Sequence, residues 1–179
     1  QAAVARELCK GLPIEIRLQD YRDVREQFDH VVSIGMAEHV GYRNHRTYMQ
    51  TAARCLKDEG LFLLHTIGVN FSKTSPDPFI DKYIFLIPSL GQLTAAMEHV
   101  FVVEDLHNFG PDYDRTLLAW HQNFNQHWPE LQGEYGERFY RMWNYYLLSS
   151  AGSFRARNNQ LWQFVLSKKG IPGGYEAVR

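Results

Sequence analysis

Two side chains that can bind a ligand or exchange protons with it follow a predicted strand in the stretch 28–41, FDHVVSIGMAEHVG. Residues 31–34 form a short run rich in β-branched side chains, typical of a buried parallel strand, and Gly35 ends it. Glu38 and His39 come directly afterwards. Because ligands of open α/β sheets bind just beyond the carboxyl ends of the strands, Glu38 is a candidate site residue. A solvated Glu-His pair in a loop is the alternative.

A second imidazole lies near the end of another predicted strand. The apolar run 61–66, LFLLHT, carries His65 close to its carboxyl end. If the two strands are adjacent, their carboxyl ends bring Glu38 and His65 to the same edge of the sheet. The alternative for His65 is a hydrogen-bonded histidine of the core, which is the commoner role for a partly buried histidine.

The elements that must position these side chains alternate between strands and helices, which predicts an α/β fold. Alternating apolar residues or short apolar runs predict the strands, and helical composition with a following glycine predicts the helices. The predicted strands are 13–18, 28–34, 61–66, 101–105 and 161–167; the predicted helices are 1–10, 44–56 and 90–100; two further helices, 115–128 and 134–150, are separated by Pro129 and Gly133; and 72–88 is a proline-rich irregular insertion with a small apolar element at 83–87.

Composition excludes several classes of protein. A chain of 179 residues with 45% hydrophobic residues is long enough for one sizeable core. The net charge of -1 gives no electrostatic footprint for nucleic acid. Cys9 and Cys55 have neither the spacing of a metal site nor that of a disulfide framework, which favours a reducing cytosol. The sequence predicts neither a membrane span nor a signal peptide.

Longer sequence blocks resemble the cyclopropane-fatty-acid and mycolic-acid cyclopropane synthases, a family of S-adenosylmethionine-dependent methyltransferases. The resemblance runs along nearly the whole chain and is strongest to the synthases that act on bacterial phospholipids. It implies a Rossmann-like class I methyltransferase sheet with an α-helical insertion, at about 112–157, that forms the lipid site before the last strand. The blocks are LQDYRD at 18–23, QFDHVVSIGMAEHVG at 27–41, CLKDEGLFLLHTIG at 55–68, DPFIDKYIF at 77–85, EDLHNFGPDYDRTLLAW at 104–120 and FRARNNQLWQ at 154–163.

The resemblance implies a reaction and a set of residues for it. A methyl group passes from S-adenosylmethionine to the cis double bond of an unsaturated phospholipid acyl chain, bound bicarbonate removes a proton, and the ring closes. Glu38 matches the carboxylate of the G-x-x-E-H motif that accepts from the bicarbonate hydroxyl. His65, the Ile67 backbone N–H and the Tyr113 hydroxyl match the other groups at this anion. From local sequence alone, a structural loop tyrosine remains the alternative for Tyr113.

Three further residues are candidates for binding the cofactor. Asp20 and Tyr21 follow the first predicted strand, where the resemblance implies that the sheet holds adenine. The Asp20 carboxylate can accept from the exocyclic amine, and a backbone N–H at this point can serve a ring nitrogen. Ile34 would press on the adenine face. Capping of a helix N-terminus is the alternative role for Asp20.

The resemblance also implies that these 179 residues are only part of a methyltransferase domain. The family's glycine-rich cofactor loop, its ribose-binding acidic residue and a site cysteine do not appear in this sequence. Two further strands would lie between those predicted at 13–18 and 28–34, so we expect a sheet incomplete on its amino-terminal side. Unpaired edges favour a homodimer, strand exchange or a further amino-terminal segment. We expect this chain alone to be inactive.

The implied protein is cytoplasmic, associates peripherally with the membrane surface and contacts phospholipid acyl chains, and no nucleic acid is expected as a partner. Two other functions remain open. One is a methyltransferase of the same family that forms methyl-branched lipids, in which the cation is reduced after a hydride shift. The other is a lipid-binding module without catalytic activity.

Overall fold

Four strands form one sheet in the computed structural model, which describes residues 1–72 and 87–178. The strand order is β1-β2-β4-β3, with β1 parallel to β2 and β4 antiparallel to both of its neighbours. The predicted α/β class is confirmed, whereas the irregular insertion and small apolar element predicted within 72–88 lie almost wholly outside the described residues. The strands are β1 (Phe28–Ile34), β2 (Leu56–Val69), β3 (Val102–Asn108) and β4 (Asn159–Ser167).

Helices cover both faces of this sheet. Local sequence starts one of them clearly, because the Ser89 hydroxyl accepts from the Gln92 N–H and the Gln92 side chain accepts from the Ser89 N–H, a capping box. The helices are α1 (Ala2–Leu8), α2 (Ala37–Val40), α3 (His45–Cys55), α4 (Leu90–Met97) and α5 (Gly110–Arg155), with short 3-10 turns at Tyr21–Asp23 and Tyr42–Asn44.

Two hydrophobic clusters lie on opposite faces of the sheet, because side chains alternate along each strand. On the first face Phe62 and Leu64 are fully buried beneath α3 and α4. On the second face Ile67 packs against a cluster built by α5 and β4 that includes Leu117 and Leu147. Complete burial of each large apolar side chain contributes about 1.5–3 kcal/mol to folding. The sheet therefore separates two hydrophobic cores.

The last helical region, α5, is an antiparallel hairpin that breaks at Gly136, where φ is 70° and ψ is 169°. The two helices predicted here exist, but the break predicted at Pro129 and Gly133 is wrong, since both residues lie inside the first arm. Gly136 adopts a backbone conformation that is essentially restricted to glycine, which is why the chain turns there. Contacts that join the arms are Tyr113–Phe154, Arg155–Asp114, His121–Asn144 and Tyr140–Asn125.

The prediction of a strand at 13–18 is also wrong. Residues 14–20 adopt no regular secondary structure, and Leu18 is 87% exposed. A strand needs a neighbour to pair with its backbone, and no described strand lies beside this segment. The segment 13–18 therefore has the sequence pattern of a strand without its partner.

Gly60, the glycine that follows the helix predicted at 44–56, lies inside a strand and does not end that helix. The helix ends at Cys55, and β2 begins directly at Leu56. A Cβ at residue 60 would come within 2.3 Å of the Asp29 carbonyl oxygen. Gly60 thus permits the close approach of β1 and β2.

Candidate functional site

The carboxyl ends of β1 and β2 meet at one rim of the sheet, as predicted. Ile34 and His65 are register partners, and the Gly35 N–H donates to the His65 carbonyl oxygen at 3.0 Å. Gly35 has a φ of 60°, which lets the chain leave β1 and enter α2 at once. The structure therefore brings Glu38 and His65 to adjacent positions on this rim.

Glu38 is the most unusual charged group of the site, because only 3% of it is exposed. Its Oε1 accepts a hydrogen bond from the Ile67 N–H at 2.7 Å. Its Oε2 is buried and has no hydrogen-bond partner among the described residues. An unsatisfied buried carboxylate oxygen is costly, so a ligand that donates to Oε2 would relieve that cost.

His45 holds the short helix that carries Glu38. Its Nε2–H donates to the Ala37 carbonyl oxygen at 3.2 Å, and the ring is buried. Burial lowers the pKa of His45, and the hydrogen bond to Ala37 opposes that shift only in part. The imidazole is therefore neutral near pH 7. The sequence did not predict this contact, since a histidine at the start of a helix carries no local signal for it.

His65 lies on the second face of the sheet, on the same side of β2 as Ile67. Its side chain is half-buried, and its Nδ1 lies 3.4 Å from Oε1 of Gln163 on β4. The ring of Phe109 lies near it, with centroids 6.2 Å apart. Gln163 is a second neighbour of the site that the sequence did not single out.

Tyr113, in the first turn of α5, faces the same side. Its ring packs edge-on against Phe154, with centroids 4.9 Å apart, and against Trp120. Burial raises the pKa of Tyr113, and the nearby charges of Tyr146 and Glu38 raise it further. The phenol and the Glu38 carboxylate are thus within electrostatic range of each other, without a direct hydrogen bond.

Asp20 caps a 3-10 turn, which was the alternative role predicted for it. Its carboxylate accepts from the Arg22 N–H at 2.9 Å and from the Arg22 guanidinium at 2.7 Å. The hydrogen bond from the Arg22 guanidinium has the larger effect and that from the Arg22 N–H the smaller; together they lower the pKa of Asp20 to about 2. Its role toward adenine stays a prediction.

Tyr48 connects the other two predicted cofactor residues. The ring of Tyr21 packs edge-on against Tyr48, with centroids 5.9 Å apart. The Tyr48 hydroxyl donates to Ser33 Oγ at 2.6 Å, one residue before Ile34. Ile34 itself is 67% exposed, so an apolar surface at the end of β1 is open to a ligand.

Two searches of the part of the chain that the structure describes concern metal-ligand groups and membrane-spanning helices. Within 1–72 and 87–178, no three His, Cys, Asp or Glu side chains are grouped as metal ligands would be. The helices described there are all too short or too polar to cross a bilayer.

Sequence comparisons give a consistent set of relatives. The profile of the family described as mycolic acid cyclopropane synthetase matches residues 1–164. The chain is 51% identical over 182 residues to the cyclopropane-fatty-acyl-phospholipid synthase of Escherichia coli K12, covering 100% of this chain and 47% of that protein. It is 31% identical over 165 residues to sphingolipid C9-methyltransferase A of Emericella nidulans, covering 86% of this chain and 32% of that protein. The chain spans about half the length, or less, of these curated relatives.

Solved structures show the fold. The cyclopropane synthase MmaA2 from Mycobacterium tuberculosis superposes with a TM-score of 0.85 at 24% identity, covering 93% of this chain and 66% of that one. The mycolic acid cyclopropane synthase CmaA1, in complex with SAH and CTAB, gives a TM-score of 0.83 at 24% identity with the same coverage. The predicted Rossmann-like class I methyltransferase sheet is confirmed.

Proposed function

Because this chain belongs to the mycolic acid cyclopropane synthetase family, we propose that the protein containing it is a cyclopropane-fatty-acyl-phospholipid synthase. The reaction transfers a methyl group from S-adenosylmethionine to the cis double bond of a phospholipid acyl chain and closes a three-membered ring. The observation that carries the proposal is Glu38, a buried carboxylate with one unpartnered oxygen, beside His65 at the rim of the sheet.

The first requirement of this reaction is positioning. An alkene is a weak nucleophile, so alignment with the sulfonium methyl must supply much of the rate. In our proposal Asp20, Tyr21 and Ile34 contact the adenine part of S-adenosylmethionine, which supplies the methyl group when bound. The exposed apolar surface of Ile34 supports this assignment.

The second requirement is the exclusion of water, which would capture the carbocation formed by methyl transfer. The inner faces of the α5 hairpin are lined with aromatic rings, and the faces of such rings tolerate a nearby cation. This arrangement supports a lipid site in the predicted insertion at about 112–157. The rings that contact one another between or along the arms are Tyr113, Trp120, Phe124, Trp128, Phe139, Tyr140, Trp143 and Phe154.

The third requirement is a base for the methyl proton, and bicarbonate, when bound, would supply it. The residues present fit this anion, since its hydroxyl is the donor that Glu38 Oε2 lacks. Tyr113 stays protonated because its pKa is raised, so its hydroxyl can donate to the anion. A nitrogen of His65 contacts the anion as well. The Ile67 N–H, which bonds to Glu38 at 2.7 Å, orients the carboxylate.

The substrate places the protein at a bilayer surface. We propose that it acts in the cytoplasm and associates peripherally with membranes. Its partners there are unsaturated phospholipid acyl chains.

A methyl-branched product is the second candidate, since the chain is also 31% identical to a sphingolipid C9-methyltransferase. Lipid mass spectrometry separates the two functions. Ring formation adds one CH2 and leaves no double bond, whereas methylation followed by reduction adds two further hydrogens.

Substitution of Glu38 tests the proposed function in the full-length protein. We expect Glu38→Gln to lower turnover about 100-fold or more, the usual scale for a lost electrostatic contact in a dry site, while binding of S-adenosylmethionine measured by calorimetry stays unchanged. Glu59→Gln is the control, because Glu59 is an exposed carboxylate on β2. Unchanged turnover in Glu38→Gln would remove Glu38 from the mechanism, and wild-type protein that binds lipid without methyl transfer would indicate a non-catalytic module.

A further inference from the structure

We propose that Gln163 is a positioning residue for the reaction, which ties Nδ1 of His65 to the sheet and turns Nε2 toward the ligand. The importance of His65 rests on the proposed function. Which nitrogen of His65 is bonded to Gln163 does not depend on the proposed function and can be measured separately.

Strand register brings Gln163 to this place. On β4, Gln163 is the register partner of His65 on β2 and of His107 on β3. The side chains of directly opposed residues point to the same face of a sheet. One amide therefore lies between two imidazoles in a row across three strands, on the face that α5 covers.

The hydrogen bond defines the orientation of the ring. The His65 Nδ1–H donates to the Gln163 Oε1 at 3.4 Å, which is longer than most N–H···O bonds. An amide oxygen can only accept, so this contact keeps a proton on Nδ1. Nε2 is then the nitrogen that faces the ligand, and it donates to the anion when the ring carries both protons, because the one bicarbonate hydrogen goes to Glu38 Oε2.

The ring of Phe109 lies at the β3 end of this row of side chains, next to His107. The Phe109 ring stacks on His107, with centroids 3.9 Å apart, and lies 6.2 Å from His65. Its backbone is fixed, because the Phe109 N–H donates to the Leu161 carbonyl oxygen at 2.7 Å. The half-buried Gln163 amide thus lies between two imidazoles that both neighbour the Phe109 ring.

Folding alone gives little reason for an amide at this position. Leu161 and Val165, the neighbours of Gln163 on the same face of β4, are buried apolar residues. An apolar side chain at 163 would bury more hydrophobic surface and leave no polar group to satisfy. The amide therefore has a role in holding His65.

The test uses nitrogen NMR of the full-length protein with labelled histidine. In wild-type protein we expect neutral His65 to carry its proton on Nδ1. In Gln163→Met, which keeps the length of the side chain and removes the acceptor, we expect the proton to move to Nε2, the form that a free imidazole prefers. Gln163→Glu restores an acceptor and should restore the Nδ1–H form. Gln122→Leu, at an exposed position of α5, is the surface control.

Kinetics supply the second readout. Gln163→Met should raise the bicarbonate concentration for half-maximal activity about ten-fold, with an unchanged KM for S-adenosylmethionine, because a neutral Nε2–H on an unanchored ring is a weaker donor to an anion than the doubly protonated ring that Gln163 holds. Gln163→Glu should recover most of this loss. A wild-type His65 with its proton on Nε2, or an unchanged His65 spectrum in Gln163→Met, would overturn the inference. Loss of the Nδ1–H form in a protein without methyl transfer would support the inference and contradict the proposed function.

Discussion

Two buried polar atoms that lack a hydrogen-bond partner among the described residues belong to α2 or to a side chain that contacts it. They are Oε2 of Glu38, which lies on α2, and Nδ1 of His45, whose Nε2–H donates to the Ala37 carbonyl oxygen of α2. Buried unsatisfied groups are rare in folded proteins and each one costs stability. The helix α2 thus keeps an energetic cost at the place where a ligand would offset it.

The stability of this region should depend on pH through His45. Because burial lowers its pKa below the ordinary 6.5, the unfolded chain binds a proton that the folded chain does not. The free energy of unfolding should therefore fall as pH decreases below about 6.5, by at most ~1.4 kcal/mol for each unit of pKa difference. Urea denaturation between about pH 7.5 and pH 5.5 measures this slope.

Two variants isolate the contribution of His45. His45→Gln, whose amide can still donate to the Ala37 carbonyl oxygen, should show a shallower loss of stability in acid. His127→Gln removes an exposed histidine and should keep the wild-type slope. Equal slopes for wild type and His45→Gln would contradict the assignment.

At the scale of residues, the sequence was informative where a group follows a strand. Glu38 was singled out because ligands bind beyond the carboxyl ends of parallel strands, whereas the assignment of His65 to the same site also needed the family resemblance. His45 and Gln163 were missed because their partners lie 8 and 98 residues away in the chain. Such contacts follow from the packing of the whole sheet, which local pattern does not contain.

At the scale of elements, two glycines of the hairpin should respond in opposite directions to the same substitution. Gly136→Ala should destabilise the protein by about 1–3 kcal/mol, because its backbone region is open only to glycine. Gly133→Ala should stabilise it by about 0.5–1 kcal/mol, because alanine favours a helix. Neither added Cβ meets an atom within 4 Å, so the backbone preference alone decides whether each substitution stabilises or destabilises the protein.

Denaturant unfolding of the two glycine variants measures both values. Destabilisation by Gly133→Ala together with neutral Gly136→Ala would mean that the chain turns at the earlier glycine, as the sequence suggested.

Most elements were recognisable from sequence because their patterns are local. The strand Phe28–Ile34 has the predicted bounds, and the predicted helices of the insertion are present. The turn of the hairpin was misplaced because Pro129 and Gly133 are strong breakers in general, and only the fold decides which glycine takes a positive φ. The pattern at 13–18 failed for a different reason, since alternation predicts a strand only where a partner exists.

At the scale of the whole molecule, the sheet edge formed by β1 should make this chain associate with itself. Within the described residues β1 pairs on one side only, and it exposes Val32 at 62% and Ile34 at 67%. Exposed apolar edge strands pair with other chains unless a charge blocks them. We expect the wild-type chain to form dimers or larger species in sedimentation velocity, and Val32→Lys to shift the distribution toward monomer.

Val4→Lys is the matched control, because Val4 is also 62% exposed but lies on α1, away from the sheet edge. Its sedimentation should match the wild type. A monomeric wild-type chain, or equal effects of the two lysines, would contradict association through β1.

The pairing of the two hairpin arms also allows the length of the proposed lipid site to differ among related chains. Side-chain hydrogen bonds join its arms at successive levels, from Arg155–Asp114 at the base through His121–Asn144 to Tyr140–Asn125 nearer the tip. If whole helical turns are added to or removed from both arms at the glycine bend, the pairs nearer the base keep their register. In the proposed function, selection can thus lengthen or shorten the proposed lipid site while the rim that carries Glu38 and His65 stays fixed.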